Sequence, residues 1–204
     1  MANSFSVLLA LAGVLFLSVA SPGPNFVVVT STALASRRAA LATGLGLAAA
    51  SGTWAWVAIA GLSFLVAHVA WMATALRLAG AAYLIWLGAK MLWTARDPLP
   101  LRAQAAASAW RAAKKGYVVS MTNPKALAFY GSIFALMVPA SAPFALNAAV
   151  VVLAVLISFA WYGSMALLAS HPVVREFLLR RKAVLDTVAG AVLVALGGRM
   201  LAGR

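Results

Sequence analysis

Long uncharged apolar stretches alternate with short basic ones along this chain. Residues 1–36, 39–76 and 126–174 contain no Lys, Arg, Asp or Glu. A helix needs about 20 apolar residues to cross a bilayer, and these stretches lack the alternation that is typical of barrel strands. The pattern therefore predicts an all-α, polytopic membrane protein with six transmembrane helices. We place these spans at residues 5–35, 41–66, 70–93, 114–138, 144–169 and 183–202.

The composition agrees with a membrane protein and excludes two other classes. Of the 204 residues, 65% are apolar and only 9% are charged. A soluble domain of this size needs more polar residues to cover its surface, and a disordered chain would be far less apolar. No segment between the spans is long enough for a soluble domain. We therefore expect residues 1–204 to form a single membrane domain.

The basic residues are concentrated on one side of the predicted membrane. Twelve of the 16 Lys and Arg residues lie in or beside the first, third and fifth loops. By the positive-inside rule these loops face the cytoplasm, and both termini then face outward. The formal charge of +13 is therefore mainly a signal of topology that faces anionic lipid, and we expect no nucleic-acid partner.

The third and sixth spans resemble each other in sequence. Residues 79–92 read AGAAYLIWLGAKML, and residues 189–201 read AGAVLVALGGRML, with one gap. The first and fourth spans share a proline-containing break near the middle. The chain thus reads as two halves, about residues 1–95 and 112–204, and three spans per half give the halves opposite orientations. Inverted repeats with broken first helices are typical of secondary transporters; the alternative is chance similarity between two apolar, glycine-containing helices.

The first break consists of Pro22, Gly23, Pro24 and Asn25. The two prolines each remove a helical N–H group, and Gly23 allows unusual backbone conformations. We expect two half-helices, the second of which begins near Pro24, because proline suits a first helical turn. The free N–H groups at such a helix start carry about half a positive charge. They favour an anion such as a substrate carboxylate.

The second break repeats this arrangement and adds a cation. Lys125 lies ten residues after Lys115, about 15 Å at helical rise, so it cannot easily reach the cytoplasmic headgroups. A charge buried there is costly and indicates a function. The predicted substrate-binding residues are Pro22, Gly23, Pro24, Asn25, Asn123, Pro124 and Lys125. The alternatives are packing kinks, a Lys125 that snorkels to the interface, or a Lys125 that caps helix carbonyls.

Two further features have structural interpretations. Three small residues follow one another at intervals of four in the second span: Gly44, Ala48 and Gly52. We interpret this ladder as a site of close helix packing. Asp186 lies near the cytoplasmic start of the sixth span, and we expect it to pair with Arg181 or Lys182 rather than to titrate during transport.

These motifs resemble those of the lysine exporter (LysE/RhtB) family of bacterial amino-acid exporters. The run Ser-Pro-Gly-Pro-Asn at residues 21–25, followed by Arg38 and by Gly-Leu-Gly at 44–46, is similar to the family's N-terminal motif. Gly116, followed by Asn-Pro-Lys-Ala at 123–126, is similar to its second motif. The resemblance covers essentially the whole chain.

The resemblance implies export of amino acids from the cytoplasm across the bacterial inner membrane, driven by the proton motive force. The implied partners are an amino acid, a coupling proton and the lipid bilayer, with a homodimer left open and no cofactor. Some members of the family carry an acid where Asn25 stands here. Asparagine cannot take up a proton, so the resemblance does not identify the coupling residue.

The charge of the substrate can be predicted from the few acidic residues. No carboxylate is expected near the middle of the spans to receive a cationic side chain, and Lys125 would repel one. Export of a cation also opposes about 2.3 kcal/mol per 100 mV of membrane potential. We therefore favour a neutral amino acid, carried by alternating access.

Two other classes of protein remain as alternatives. An anion channel, or an efflux protein for lipids or small metabolites, would also use the positive helix ends and Lys125. An intramembrane enzyme is less favoured, because the chain has no Cys and only 2 His, too few for a nucleophilic or metal site. We expect neither catalytic nor metal-binding residues.

Overall fold

The computed structural model describes residues 4–68, 70–98, 108–139, 141–169 and 171–202, and every regular element in these ranges is a helix. The all-α prediction is therefore confirmed for the described residues. The helices are α1 (Ser4–Ala20), α2 (Pro24–Ala33), α3 (Arg37–His68), α4 (Ala70–Trp93), α5 (Ala109–Met121), α6 (Pro124–Met137), α7 (Phe144–Leu168) and α8 (Pro172–Leu201).

The helices cover most of each predicted span, but α8 begins at Pro172 rather than at residue 183. Only some of the helices are long and apolar enough to cross a membrane by themselves. Among the described residues, Arg37–Gly61 in α3 and Phe144–Leu168 in α7 meet that criterion. The pair α1 and α2 meets it as one span bent by 59°. The helices α5 and α6 are each too short, and α8 carries charged residues in its first half. The six-span inverted repeat stays a prediction.

Both predicted helix breaks are confirmed. Helix α2 begins at Pro24, after Gly23 in an extended conformation with φ −166° and ψ −166°. Helix α6 begins at Pro124, and the Asn123 side-chain oxygen accepts a hydrogen bond of 3.0 Å from the backbone N–H of Lys125. Each proline occupies the first turn, where a missing N–H group costs nothing. The interruptions are therefore encoded locally.

Helix α3 is central and packs lengthwise against both α5 and α7. The small-residue ladder lies on the α7 side, and the predicted close helix packing is confirmed there. A Cβ atom at Gly44 would lie 3.3 Å from the Tyr162 backbone, and one at Gly52 would lie 2.7 Å from the Val155 side chain. Glycine therefore permits this close approach of the two helices.

A second close contact joins α3 to α5. A Cβ atom at Gly116 of α5 would collide with the backbone carbonyl of Thr43. A Cβ atom at Gly46 of α3 would likewise collide with the carbonyl of Ala113. The two backbones touch at these positions, so the first half of the broken α5–α6 pair is fixed on α3.

The two helices with similar sequences, α4 and α8, pack against each other. A Cβ atom at Gly190 would lie 2.8 Å from the Gly88 carbonyl, and one at Gly197 would lie 2.8 Å from the Ala81 carbonyl. Gly88 of α4 thus meets Gly190 of α8, whereas the earlier Ala81 meets the later Gly197. The two helices are therefore antiparallel. Two of the glycines at this contact, Gly88 and Gly197, occupy the same position in the alignment of the two helices.

The apolar core consists of two large clusters and a small one of three alanines between α3 and α5. One large cluster centres on Leu15, Phe129 and Ile133, and the other on Phe26 and Leu47. The interrupted ends of α1 and α6 lie where the two clusters meet. The fold therefore surrounds the two breaks with apolar packing.

Replacement of Gly116 by alanine should destabilise the protein. The added methyl group would meet the Thr43 carbonyl, and overpacking of this kind costs about 1–3 kcal/mol. We expect the midpoint of thermal unfolding in detergent to fall by roughly 2–4 °C for each kcal/mol.

Gly163→Ala is the matched control for this variant. Nothing lies within 4 Å of a Cβ atom at Gly163, and alanine favours the helix by about 1 kcal/mol. Its midpoint should stay the same or rise. Equal midpoints for the two variants would contradict the close contact between α3 and α5.

Candidate functional site

The two helix breaks meet in the interior of the molecule. The Asn123 side-chain amide donates a hydrogen bond of 3.1 Å to the Asn25 side-chain oxygen. The Asn25 amide in turn donates one of 3.2 Å to the Ser120 hydroxyl. These bonds link the start of α2 with the junction of α5 and α6. Two breaks that are 98 residues apart in the chain therefore form one polar site.

Lys125 lies at this junction and extends to the first break. Its ammonium group donates a hydrogen bond of 2.8 Å to the Ser21 hydroxyl and one of 3.4 Å to the Ser21 backbone carbonyl. The side chain packs along Gly23, where a Cβ atom would lie 3.8 Å from both Cδ and Nζ. Lys125 is thus directed inward to the other break.

The helix ends at the site have opposite electrostatic character. The starts of α2 and α6 carry a partial positive charge, although the Lys125 N–H of α6 is already bonded to the Asn123 side chain. The ends of α1 and α5 carry a partial negative charge, although the Ser120 carbonyl of α5 already accepts from the Trp54 indole N–H. The site therefore offers positive ends for a carboxylate and negative ends for an ammonium group, which is the arrangement that a zwitterionic amino acid requires.

A small cavity of about 30 Å³ occupies this junction. Its polar lining comes from the two breaks and from α3 and α7, and includes Ser18, Ser21, Gly23, Asn25, Ser51, Ser120, Asn123, Lys125, Tyr130 and Tyr162. This volume suits one or two water molecules rather than an amino acid. A substrate would therefore require the surrounding helices to separate.

Tyr130 contributes an unusual polar group to this lining. The residue is 4% exposed, and its hydroxyl lies close to Ser51 and Ser158. The Ser158 hydroxyl in turn donates a hydrogen bond of 2.7 Å to the Ser51 hydroxyl. Three hydroxyl groups from α3, α6 and α7 thus lie together beside the cavity.

Four of the seven predicted residues line the cavity: Gly23, Asn25, Asn123 and Lys125. The other three, Pro22, Pro24 and Pro124, instead form the breaks that position them. Their assignment as substrate-binding residues stays a prediction. The structure brings all seven to one place, the junction of the two breaks.

Several residues of the lining were not predicted from the sequence, notably Ser21, Ser120, Tyr130 and Tyr162. Tyr130 could have been predicted from helical spacing. It lies four residues after Ala126 and therefore on the same face of α6. Ser21 is part of the first motif itself. The position of Tyr162 depends on how α7 packs, and no local pattern reveals it.

One sequence inference about the acidic residues is wrong. We expected no carboxylate close enough to the site to receive a cation, but Asp186 is buried at 3% exposure and accepts a hydrogen bond of 3.1 Å from the Ser21 hydroxyl. The predicted pairing is confirmed for Lys182, whose ammonium lies 2.8 Å from Asp186 Oδ2. The packing of α8 against the first break, which the sequence does not reveal, brings Asp186 inward.

The site does not have the residues of a metal centre. In the described ranges, no group of three or more His, Asp or Glu side chains is positioned to hold a metal ion. The polar groups of the cavity are hydroxyls, amides and one ammonium. These groups suit the binding of a small polar molecule.

Apolar helices that surround paired helix breaks define the class of this protein as a helical membrane protein with an internal polar site. The chain belongs to the LysE type translocator family, which it matches over residues 15–204. It is therefore a transporter rather than an enzyme, and the resemblance of the motifs is confirmed.

Several relatives are similar over much or all of the chain. The chain is 32% identical over 192 residues to the threonine efflux protein of Salmonella typhi, which covers 90% of this chain and 92% of that protein. It is 30% identical over 201 residues to the threonine efflux protein of Escherichia coli K12, with 96% and 98% covered. It is 34% identical over 130 residues to the leucine efflux protein of Enterobacter sp. strain 638, with 62% and 61% covered. No solved structure gives a significant match.

The bond between Asn25 and Asn123 should be detectable as energetic coupling. We expect Asn25→Ala and Asn123→Ala to lower thermal stability non-additively, with a coupling of about 1 kcal/mol. The measurement is a double-mutant cycle on the purified protein in detergent.

Asn147→Ala is the control partner for Asn25→Ala, because the Asn147 amide donates only to the Ala142 carbonyl in its own turn. That pair of substitutions should be additive. An additive result for Asn25 and Asn123 would contradict direct contact between the two breaks.

Proposed function

We propose that this protein is a secondary active exporter that moves neutral amino acids out of the bacterial cytoplasm across the inner membrane. The observation that carries the proposal is the meeting of the two helix starts, with the Lys125 ammonium bonded to Ser21 of the first break. Relatives that are similar over nearly the whole chain are threonine efflux proteins. The alternative of an intramembrane enzyme is excluded by membership of the family.

The proposed site binds the two charged ends of an amino acid separately. The carboxylate accepts hydrogen bonds from the first-turn N–H groups of α2, lies at the partial positive charge of the start of α6, and pairs with the Lys125 ammonium. The first-turn N–H groups of α2 have no helix partner, because no carbonyl of the same helix precedes them. The residues of this site are Pro22, Gly23, Pro24, Asn25, Asn123, Pro124 and Lys125.

A neutral side chain fits the charges around this site better than a cationic one. Lys125 and Lys182 place two cations near the junction, against the single carboxylate of Asp186. A substrate with an additional positive charge would be repelled at the site. The names of the relatives, threonine and leucine efflux proteins, agree with a neutral substrate.

The architecture that we propose for transport is a six-span inverted repeat. Three observations support it: the helices lie close to the six expected spans, two of the breaks lie in corresponding positions, and α4 and α8 make reciprocal glycine contacts. The distribution of basic residues supports cytoplasmic first, third and fifth loops, with both termini outside. Movement of one half against the other would then open the site to each side in turn.

Proton movement is the proposed driving force for export. A neutral zwitterion carries no net charge, so its export gains nothing from the membrane potential by itself. Coupling to a proton that moves inward would supply the free energy for transport against a gradient. Such coupling requires that proton and substrate binding influence each other.

Loss of the Lys125 ammonium should strongly reduce transport without loss of the fold. In proteoliposomes, we expect wild-type protein to exchange labelled for unlabelled threonine in a saturable manner. Lys125→Ala should reduce this exchange about a hundredfold, the effect of losing one charged hydrogen bond to the substrate. Lys90→Ala is the matched control, because Lys90 is exposed and lies 5.0 Å from the Trp86 ring centroid.

The same assay separates a carrier from a channel. Saturable exchange that needs amino acid on both sides supports the proposed carrier. Flux that does not saturate and needs no amino acid on the opposite side indicates an anion channel instead. Wild-type exchange in a correctly folded Lys125→Ala variant would contradict the proposed site.

A further inference from the structure

Asp186 is a buried carboxylate that belongs to the hydrogen-bond network of the site. It is 3% exposed, and the Ser21 hydroxyl that donates to it at 3.1 Å also accepts from Lys125 at 2.8 Å. The bonds run in one direction, from the Lys125 ammonium through the Ser21 hydroxyl to the Asp186 carboxylate. The charge on Asp186 therefore acts on the Lys125 ammonium at the junction of the two breaks, because only the Ser21 hydroxyl lies between the two groups.

The groups around Asp186 come from every part of this junction. Lys182, on the same helix, pairs with Oδ2 at 2.8 Å and donates to the carbonyls of Thr94 and Ala95, which follow α4. Lys125 of α6 approaches through Ser21. From α4, the Met91 sulfur lies 3.9 Å from the Ser21 hydroxyl oxygen and carries no charge. Asp186 thus balances two cations.

Asp186 differs from the other carboxylates of the described chain. Glu176 is exposed and pairs with Arg180 on the surface of α8, and Asp97 is exposed after α4. Within the described ranges, Asp186 is therefore the one buried carboxylate. A function that needs an interior negative charge has no other carboxylate to use there.

The Lys125 ammonium lies at Ser21, a position that favours an ammonium ion. It donates to the Ser21 carbonyl and hydroxyl, immediately after the last turn of α1. The partial negative end of α1 and the Asp186 carboxylate both favour a cation there. The α-ammonium group of an amino acid has the same charge and the same donors as the Lys125 side chain.

We propose that Asp186 is the positioning residue for the ammonium group of the substrate, and that a proton on Asp186 competes with the substrate. This inference rests on the proposed export of amino acids. The arriving carboxylate draws Lys125 to the starts of α2 and α6. The substrate ammonium then takes its place at Ser21, with Asp186 as the counter-charge.

Because a proton and the substrate compete for Asp186, inward movement of the proton is coupled to outward movement of the amino acid. After the amino acid leaves to the outside, the carboxylate takes up one external proton, and only an O–H bond forms. When the site opens to the cytoplasm, the arriving substrate ammonium favours the charged carboxylate, and the proton is released inward. One proton moves in for each amino acid exported, with Asp186 restored at the end of the cycle.

The expected pH dependence has a definite sign. Protonated Asp186 no longer attracts the ammonium group, so the affinity for a neutral amino acid must fall as the pH falls. Loss of a proton from Lys125 would weaken carboxylate binding as the pH rises, which is the opposite sign. Lys182 forms the ion pair with Asp186 at 2.8 Å.

The test measures the half-saturating threonine concentration for exchange in proteoliposomes from about pH 7.5 to about pH 5, where the substrate stays zwitterionic. For the wild type, we expect this concentration to rise as the pH falls. For Asp186→Asn, we expect it to be raised roughly tenfold and to stay constant with pH. A pH gradient should drive export by the wild type but not by this variant.

Glu176→Gln is the matched control, because it removes an exposed carboxylate from the same helix. It should behave like the wild type at every pH. A second variant, Asp186→Asn with Lys182→Met, removes both charges of the buried pair, which is often tolerated when a single change is not. It should show the same constant affinity as the single variant.

The outcomes separate this inference from the proposed function. If the wild type shows no saturable exchange, the proposed function fails. If the wild type exchanges amino acid but a folded Asp186 variant keeps the wild-type pH dependence, only the role of Asp186 fails. A wild-type affinity that is constant, or that increases as the pH falls, also overturns the inference, whether or not the variants fold.

Discussion

The fold depends on the requirement that a lysine ammonium group inside an apolar helical protein must have acceptors. Lys125 finds them at Ser21, through a hydroxyl at 2.8 Å and a backbone carbonyl at 3.4 Å. A backbone carbonyl is available there only because α1 ends at Ala20, and α1 ends because prolines follow. The break in one helix thus satisfies the charge carried by the other. Each break would be unfavourable in the membrane without its counterpart.

This dependence explains why polar residues gather where the two apolar clusters meet. Asn25 and Asn123 hold the two helix starts together, and Asp186 offsets part of the positive charge through Ser21. Glycines such as Gly116 bring the backbones of α3 and α5 into contact, which fixes the broken pair on α3. The resulting site has positive and negative helix ends within a few residues of each other. That combination matches a small zwitterion and agrees with membership of a family of translocators.

Local signals allowed the sequence to predict the breaks, the helix starts at Pro24 and Pro124, and the packing role of the small-residue ladder. The pairing of Asp186 with Lys182 was also predictable, since residues four apart share a helix face. The contact between Asp186 and Ser21 was not, because these residues are 165 positions apart and meet only through the packing of α8. The same holds for Tyr162. The charge of the site was therefore predicted in part, with its positive groups identified and its negative group missed.

In the proposed site, the paired helix starts and Lys125 recognise the carboxylate of the substrate. The most direct measurement compares threonine with threonine amide as inhibitors of labelled threonine exchange in proteoliposomes, at a pH where both carry an ammonium group. The amide keeps the side chain and the ammonium but lacks the negative charge. We expect threonine to inhibit and the amide to be at least about tenfold weaker, the effect of losing one charged interaction. Equal inhibition by the two compounds would contradict recognition of the carboxylate by Lys125 and the paired helix starts.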